Sequence, residues 1–386
     1  MKTRKSFQFN LRSSFRNARR STARTVLCLA VCMLGLAVSA SAQKPIIITF
    51  DPLGSVNTQP WSISDTGWIT GNWTDASGVT RGFVRTPDGE ITSFDVTVPG
   101  AGTVGCQGCE INSKGEVAGC FWNSINNSTG FRRTPDGKIT PIIVPGAWQG
   151  ENGGSMAMAL NDAGLILGQY TISATEQDSL LVTPDNHFII FNPTSPLVST
   201  WSWGGMESAL NPAGAAIGGY IDFNEVYHGY VRAPHGAITV LDAPSWGQVA
   251  GAGTFPSGIN PEGTIVGYVQ DTNELTHGFI RTPGGRYSLF NVREAGTVVD
   301  SWQGTFAMDI NSAGTITGWY GDSDWVVHGF LMTPDGWITT FDGPNASTAE
   351  YLGTFPETIN SAGVITGYYY DSSGMSHGFV GIPPRR

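Results

Sequence analysis

A segment of about 49 residues recurs through almost the whole chain, and a repeat of that length admits few folds. "INSAGVITGYYYDSSGMSHGFV" (359 to 380) returns as "INSAGTITGWYGDSDWVVHGFL" (310 to 331) and "INPEGTIVGYVQDTNELTHGFI" (259 to 280). Weaker copies begin at Leu210, Leu160, Ile111 and Ile63. The turn glycines Gly67, Gly115, Gly164, Gly214, Gly263, Gly314 and Gly363 are 48, 49, 50, 49, 51 and 49 residues apart. Seven such periods account for the residues that follow residue 42 and leave nothing for a second domain.

Each period reads as four short strands rich in Ile, Val, Thr, Phe, Tyr and Trp, with no sustained helical period. The first strand ends in Ile-Asn, and an N-x-x-G turn returns the chain, because Asn bonds its own backbone and Gly takes positive φ. A loop of about five residues leads to "HGFLMT"; a T-P-D-G turn, with φ preset by Pro, leads to "WITTFDGP". Four strands per unit at this period predict an all-β, seven-bladed β-propeller. An open solenoid would need capping units at both ends. This chain instead stops after a third strand, "HGFVGIPPRR", and begins with a lone fourth one. "IIITFDP" (46 to 52) matches "WITTFDGP" (337 to 344) and "EITSFDVTVP" (90 to 99), so the N-terminal strand is expected to complete blade seven and close the ring. Pro141, inside the fourth strand of blade two, suits an outermost strand, where a missing N–H costs little.

The combination of IN-x-x-G, G-Y/W and HGF resembles the extracellular HAF-type repeats of secreted bacterial proteins, which carry a similar asparagine-glycine turn and a His-Ala-Phe triplet. Here the triplet is His-Gly-Phe or His-Gly-Tyr. Blades one to three depart from it, with Arg81-Gly82-Phe83, Thr129-Gly130-Phe131 and Asp178-Ser179-Leu180. The resemblance implies secretion and a repeat fold, and no established chemistry. Kelch and WD40 signatures are absent.

Residues 1–42 read as a secretory signal peptide: a basic n-region without acids, the apolar run "TVLCLAVCMLGLAVSA", and an Ala40-x-Ala42 cleavage site. The run is shorter than the roughly 20 residues that span a bilayer, which disfavours a retained anchor. Cleavage near Ala42 would leave residues 43–386 as one propeller domain, secreted or periplasmic, with no membrane span. It would also remove eight basic residues, taking the formal charge from -10 to -18. That excess of acid argues against nucleic acid and anionic membrane surfaces as partners. Cys106, Cys109 and Cys120 remain. "CQGC" has no second pair and no nearby histidine, so a local disulfide is favoured over a metal, with Cys109–Cys120 the expected pair.

His228, His277, His328 and His377 occupy equivalent places in successive blades and are therefore spread around the ring, whereas metal ligands must converge on one ion. Each follows an Asp by six residues (Asp222, Asp271, Asp322, Asp371), and Asp75 with Arg81 keeps the same pairing of charge. Asp–His pairs that order a hairpin loop are expected, with no metal or cofactor. No G-x-S-x-G, H-E-x-x-H, P-loop or EF-hand loop occurs. Glu110, Glu207, Asp309 and Glu357 stand where first strands begin near the central channel. Their offsets from the Ile-Asn motif differ, so a solvated rim is expected.

The tight N-x-x-G and T-P-D-G turns share one face, and the long loops share the other. The crossings between blades hold Trp61, Trp148, Trp201, Trp203, Trp246 and Trp302. Loops on a rigid scaffold commonly carry binding, and Trp stacks on sugar rings or anchors a protein partner. The sequence thus predicts a monomeric binding or scaffold module that holds glycan or protein through Trp148, Trp201, Trp203, Trp246 and Trp302. The alternative is a propeller enzyme, a hydrolase or lyase of an extracellular polymer, using the channel-mouth acids.

Overall fold

The computed structural model describes residues 44–96, 105–123, 127–174, 176–193, 209–244, 250–272, 275–298 and 303–384. These residues form 28 β-strands and no helix. The strands fall into seven four-stranded antiparallel units, the first six of them simple meanders. Five pairs of consecutive units are joined by a single parallel bridge: Thr80 with Gly105, Ser128 with Gly154, Tyr227 with Gly253, Thr276 with Gly304 and Val327 with Gly353. Consecutive units pack face to face, and the seventh packs on the first.

The seventh unit is assembled from both ends of the chain. Ile46–Phe50 runs antiparallel to Ser376–Ile382, from Ile46 opposite Ile382 to Phe50 opposite Gly378. The fit is specific because the HGF glycine makes room for a ring. A Cβ at Gly329 would lie 2.7 Å from the Phe341 ring, and one at Gly378 would lie 3.0 Å from the Phe50 ring. Phe50 also meets Phe83 edge-on at 5.9 Å and carries the Arg85 guanidinium over its face. The N-terminal strand thus fills the slot that Phe94, Phe290 and Phe341 fill in their own units. Ile139–Ile142, with Pro141, pairs on one side only, as an outermost strand should.

The phenylalanines that end the His-Gly-Phe triplet or its Arg-Gly-Phe and Thr-Gly-Phe equivalents, Phe83, Phe131, Phe279, Phe330 and Phe379, are fully buried between units. Burying such a ring stabilises by about 1.5–3 kcal/mol, so this row is a main source of cohesion. Towards the ring centre, the glycine after each second strand's Ile-Thr or equivalent lets two backbones touch. A Cβ at Gly318 would stand 2.1 Å from the Phe306 carbonyl oxygen.

The motif asparagines do more than shape turns. Asn360 Oδ1 accepts the N–H groups of Ala362 and Val364, closing its own turn. Its Nδ2 donates to the Ser64 carbonyl, 296 residues away. Asn112, Asn161, Asn211 and Asn311 donate in the same way to Asn161, Asn211, Asn260 and Asn360. A ladder of buried side chains therefore links unit to unit around the centre and across the chain's two ends.

Candidate functional site

The innermost strand of six units carries a β-bulge at one register position. The residue bulged out of the ladder is Trp61, Cys109, Met158, Ser257, Met308 or Glu357. A bulge re-aims its side chain. These six side chains are among those that line a cavity of about 240 Å³ at the centre of the ring. Glu110 and Asp309, each directly after a bulge, also line it, and it reaches the N-x-x-G turns at Asp65 and Asp162.

The acids are therefore not a solvated rim. Glu110 and Asp309 share one register position, immediately before the motif isoleucine, and Glu357 sits one place earlier in its unit. Ser62 Oγ donates to Glu110 Oε1. Burial pushes Glu110 up to about 8 against that bond, helped by the charge of Asp309. Asp309 accepts the N–H of Ile310 at 2.7 Å and of Ile359 at 2.9 Å. Burial still raises it to about 7. Glu357 is only 5% exposed, Oε1 has no hydrogen-bond partner, and burial raises the group to about 8. Behind it the buried Tyr368 hydroxyl is pushed well above its ordinary value, first by burial and then by Glu357. Glu207 lies outside the described residues.

The histidines are held quite differently. His328 Nδ1 bonds Asp342 at 2.8 Å, while Nε2 lies 3.3 Å from Asp322. His228 stands between Asp242 at 2.8 Å and Asp222 at 3.7 Å. His377 stands between Asp51 at 2.8 Å and Asp371 at 3.4 Å. In His277 the closer partner is Asn291, at 2.9 Å, with Asp271 at 3.5 Å. Arg81 takes the same place between Asp75 at 2.6 Å and Asp95 at 3.3 Å. The second partner, missed from sequence, is the acid or amide that follows the fourth-strand Phe or Leu. The repeated Phe-Asp dipeptide was its signal. Asp51 brings this clamp to the closing strand. The Asp342 bond raises His328, and the Asp242 bond raises His228.

Two sequence expectations change. Cys109 and Cys120 form no disulfide with each other. The bulge turns Cys109 into the cavity and sets Gln107, not Cys109, opposite Cys120. Trp61 is no crossing residue; it belongs to Ser55–Ile63, donates Nε1–H to Asn72 Oδ1 and packs edge-on against Tyr368. Trp148 lies in a crossing, half-buried, where its ring covers Gly150. Trp201, Trp203, Trp246 and Trp302 lie outside the described residues, as does the Cys106 side chain.

No family model matches the chain, and no curated protein matches it in sequence. Its fold does have counterparts. A catalytically inactive virginiamycin B lyase from Staphylococcus aureus, solved with quinupristin, superposes with a TM-score of 0.54 at 15% identity, over 87% of this chain and 99% of that one. A streptogramin B lyase gives 0.52 at 13% identity, over 88% and 98%. The chain is a β-propeller. At such identities the likeness extends to the fold alone. Among the described residues no helix is long and apolar enough to cross a membrane.

Proposed function

We propose that residues 1–42 direct export and that residues 43–386 form a single seven-bladed propeller, a monomer of the HAF-repeat type. In this reading it works outside the cytoplasm as a binding module for glycan or protein. The ligand site is the central cavity at the short-turn end, and any platform of tryptophans on the long-loop face is secondary. One observation carries this choice: the units repeat closely elsewhere, yet the six bulges place five kinds of side chain, Trp, Cys, Met, Ser and Glu, into one shared cavity. Concave sites with a few convergent polar groups are where ligands bind.

The test is Cys109→Trp, which copies into unit two the residue that unit one already carries at the equivalent position and fills the cavity. Ligands found by glycan array or protein capture with the full chain should be lost on this substitution. Retention of those ligands, with loss on Trp148→Ala, would move the site to the long-loop face. The enzymatic reading rests on Glu110 and Asp309, neighbouring acids raised towards neutrality and suited to proton transfer. It requires an extracellular polymer whose cleavage is abolished by Glu110→Gln and Asp309→Asn.

A further inference from the structure

We propose that the cavity takes a small organic ammonium ligand, an amine on a short carbon body, with Glu357 as its principal acceptor; this rests on the cavity being the ligand site. Among the described residues five acids line the cavity, Asp65, Glu110, Asp162, Asp309 and Glu357, and no Lys, Arg or His does. An anionic ligand would find no cationic side chain there to pair with.

Four of these acids are already engaged within the protein. Asp65 accepts the Ser361 N–H and Asp162 the Ser113 N–H, both at 2.7 Å. Glu110 accepts from Ser62, and Asp309 from two backbone N–H groups. Glu357 differs: its carboxyl is buried, its Oε1 is unpartnered, and it lines the cavity. A buried polar atom left unpaired is costly, so a donor brought by a ligand offsets the desolvation of Glu357 Oε1.

The other walls define the rest of the ligand. Met158, Met308 and Trp61 supply apolar surface for carbon. The volume, about 240 Å³, is too large for a bare ion and lies below the roughly 300–1,000 Å³ of drug-sized sites. Among the described residues no three His, Cys, Asp or Glu are placed to hold one metal ion. Ammonium is favoured over a neutral hydroxyl because, among the described residues, the cavity is lined by carboxyl groups with no Lys, Arg or His to balance their charge, and burial leaves Glu110, Asp309 and Glu357 protons to give up. A cation stabilises their ionised forms, so its binding drives protons off, and a neutral donor has no such linkage.

The experiment is calorimetric titration of the full chain at pH 7 with benzylamine and glucosamine, each against its uncharged counterpart, benzyl alcohol and glucose. Two buffers of different ionisation enthalpy count the protons released. The expected result is binding of at least one amine with proton release, at least tenfold tighter than its counterpart, and weakened tenfold or more by Glu357→Gln. The preferred amine shows whether the carbon body is a sugar. Equal binding of an amine and its counterpart, or a change under twofold in Glu357→Gln, overturns the ammonium assignment while leaving the cavity as the site. So does binding of calcium alone with neither amine. Amine binding that survives Cys109→Trp overturns the cavity reading itself.

Discussion

From the outer rim to the central channel, the seven units pass from alike to unlike. At the rim, one arrangement recurs in five of the seven units: an imidazole or guanidinium between two acceptors, built on His228, His277, His328 and His377 and, in unit one, on Arg81. At the channel, a recurring bulge presents Trp, Cys, Met, Ser or Glu. The backbone geometry is equally regular in both regions, so only the side chains differ. Repetition at the rim matches the needs of packing and loop order, which those five units share. Variation at the channel matches a single shared space, which one ligand reads from several sides at once.

The strongest way to break this comparison is to remove the segment that makes the last unit like the others. Deletion of residues 45–53 takes away the Phe50 ring, the Asp51–His377 bond and the Thr49–Tyr369 bond together, and strips the partner from Ser376–Ile382. The exposed edge should make the protein aggregate. A soluble product with unchanged melting would refute closure by this strand. A smaller effect is expected at the inner ladder. Asn360→Ala removes the bond to Ser64 and two turn bonds from a buried position, which should cost about 1–3 kcal/mol in denaturant unfolding.

The smallest effect should come from the rim. His328 is raised above its ordinary 6.5, so the charged clamp contributes fully below that pH and is lost as pH rises through the folded value. Asp342→Asn should lower the His328 titration midpoint seen by NMR. It should change stability by less than about 1 kcal/mol, since the pair is partly exposed. A large loss of stability would mean that the rim clamps do more than order loops.

The architecture was legible in sequence because strand, turn and period all repeat. The match of Phe50-Asp51 to Phe341-Asp342 even located the closing strand. The Asp–His pairs were visible as a fixed spacing, but their closer partner was not, since it lies 14 residues away, just past the end of the fourth strand, in three of the four. The channel was read least well. Differing offsets of Glu110, Asp309 and Glu357 from the Ile-Asn motif suggested a scattered, solvated rim, whereas a bulge that no turn residue announces brings both offsets into one cavity. The same bulge separates Cys109 from Cys120. A register shift of one residue is a tertiary property, set by how seven inner strands meet, and it leaves little trace in any one of them.

The central claim is that the channel holds an acid kept from water, and the pH dependence of stability tests it directly. Glu357, ordinarily near 4.5, is raised to about 8, so the folded protein holds a proton that the unfolded chain releases between those values. Stability should therefore fall as pH rises through this window, and Glu357→Gln should escape that part of the fall. The account predicts a melting temperature for Glu357→Gln close to that of the unaltered protein at pH 4.5 and increasingly above it up to pH 8. A difference that stays flat across this range would place Glu357 in water and contradict the account.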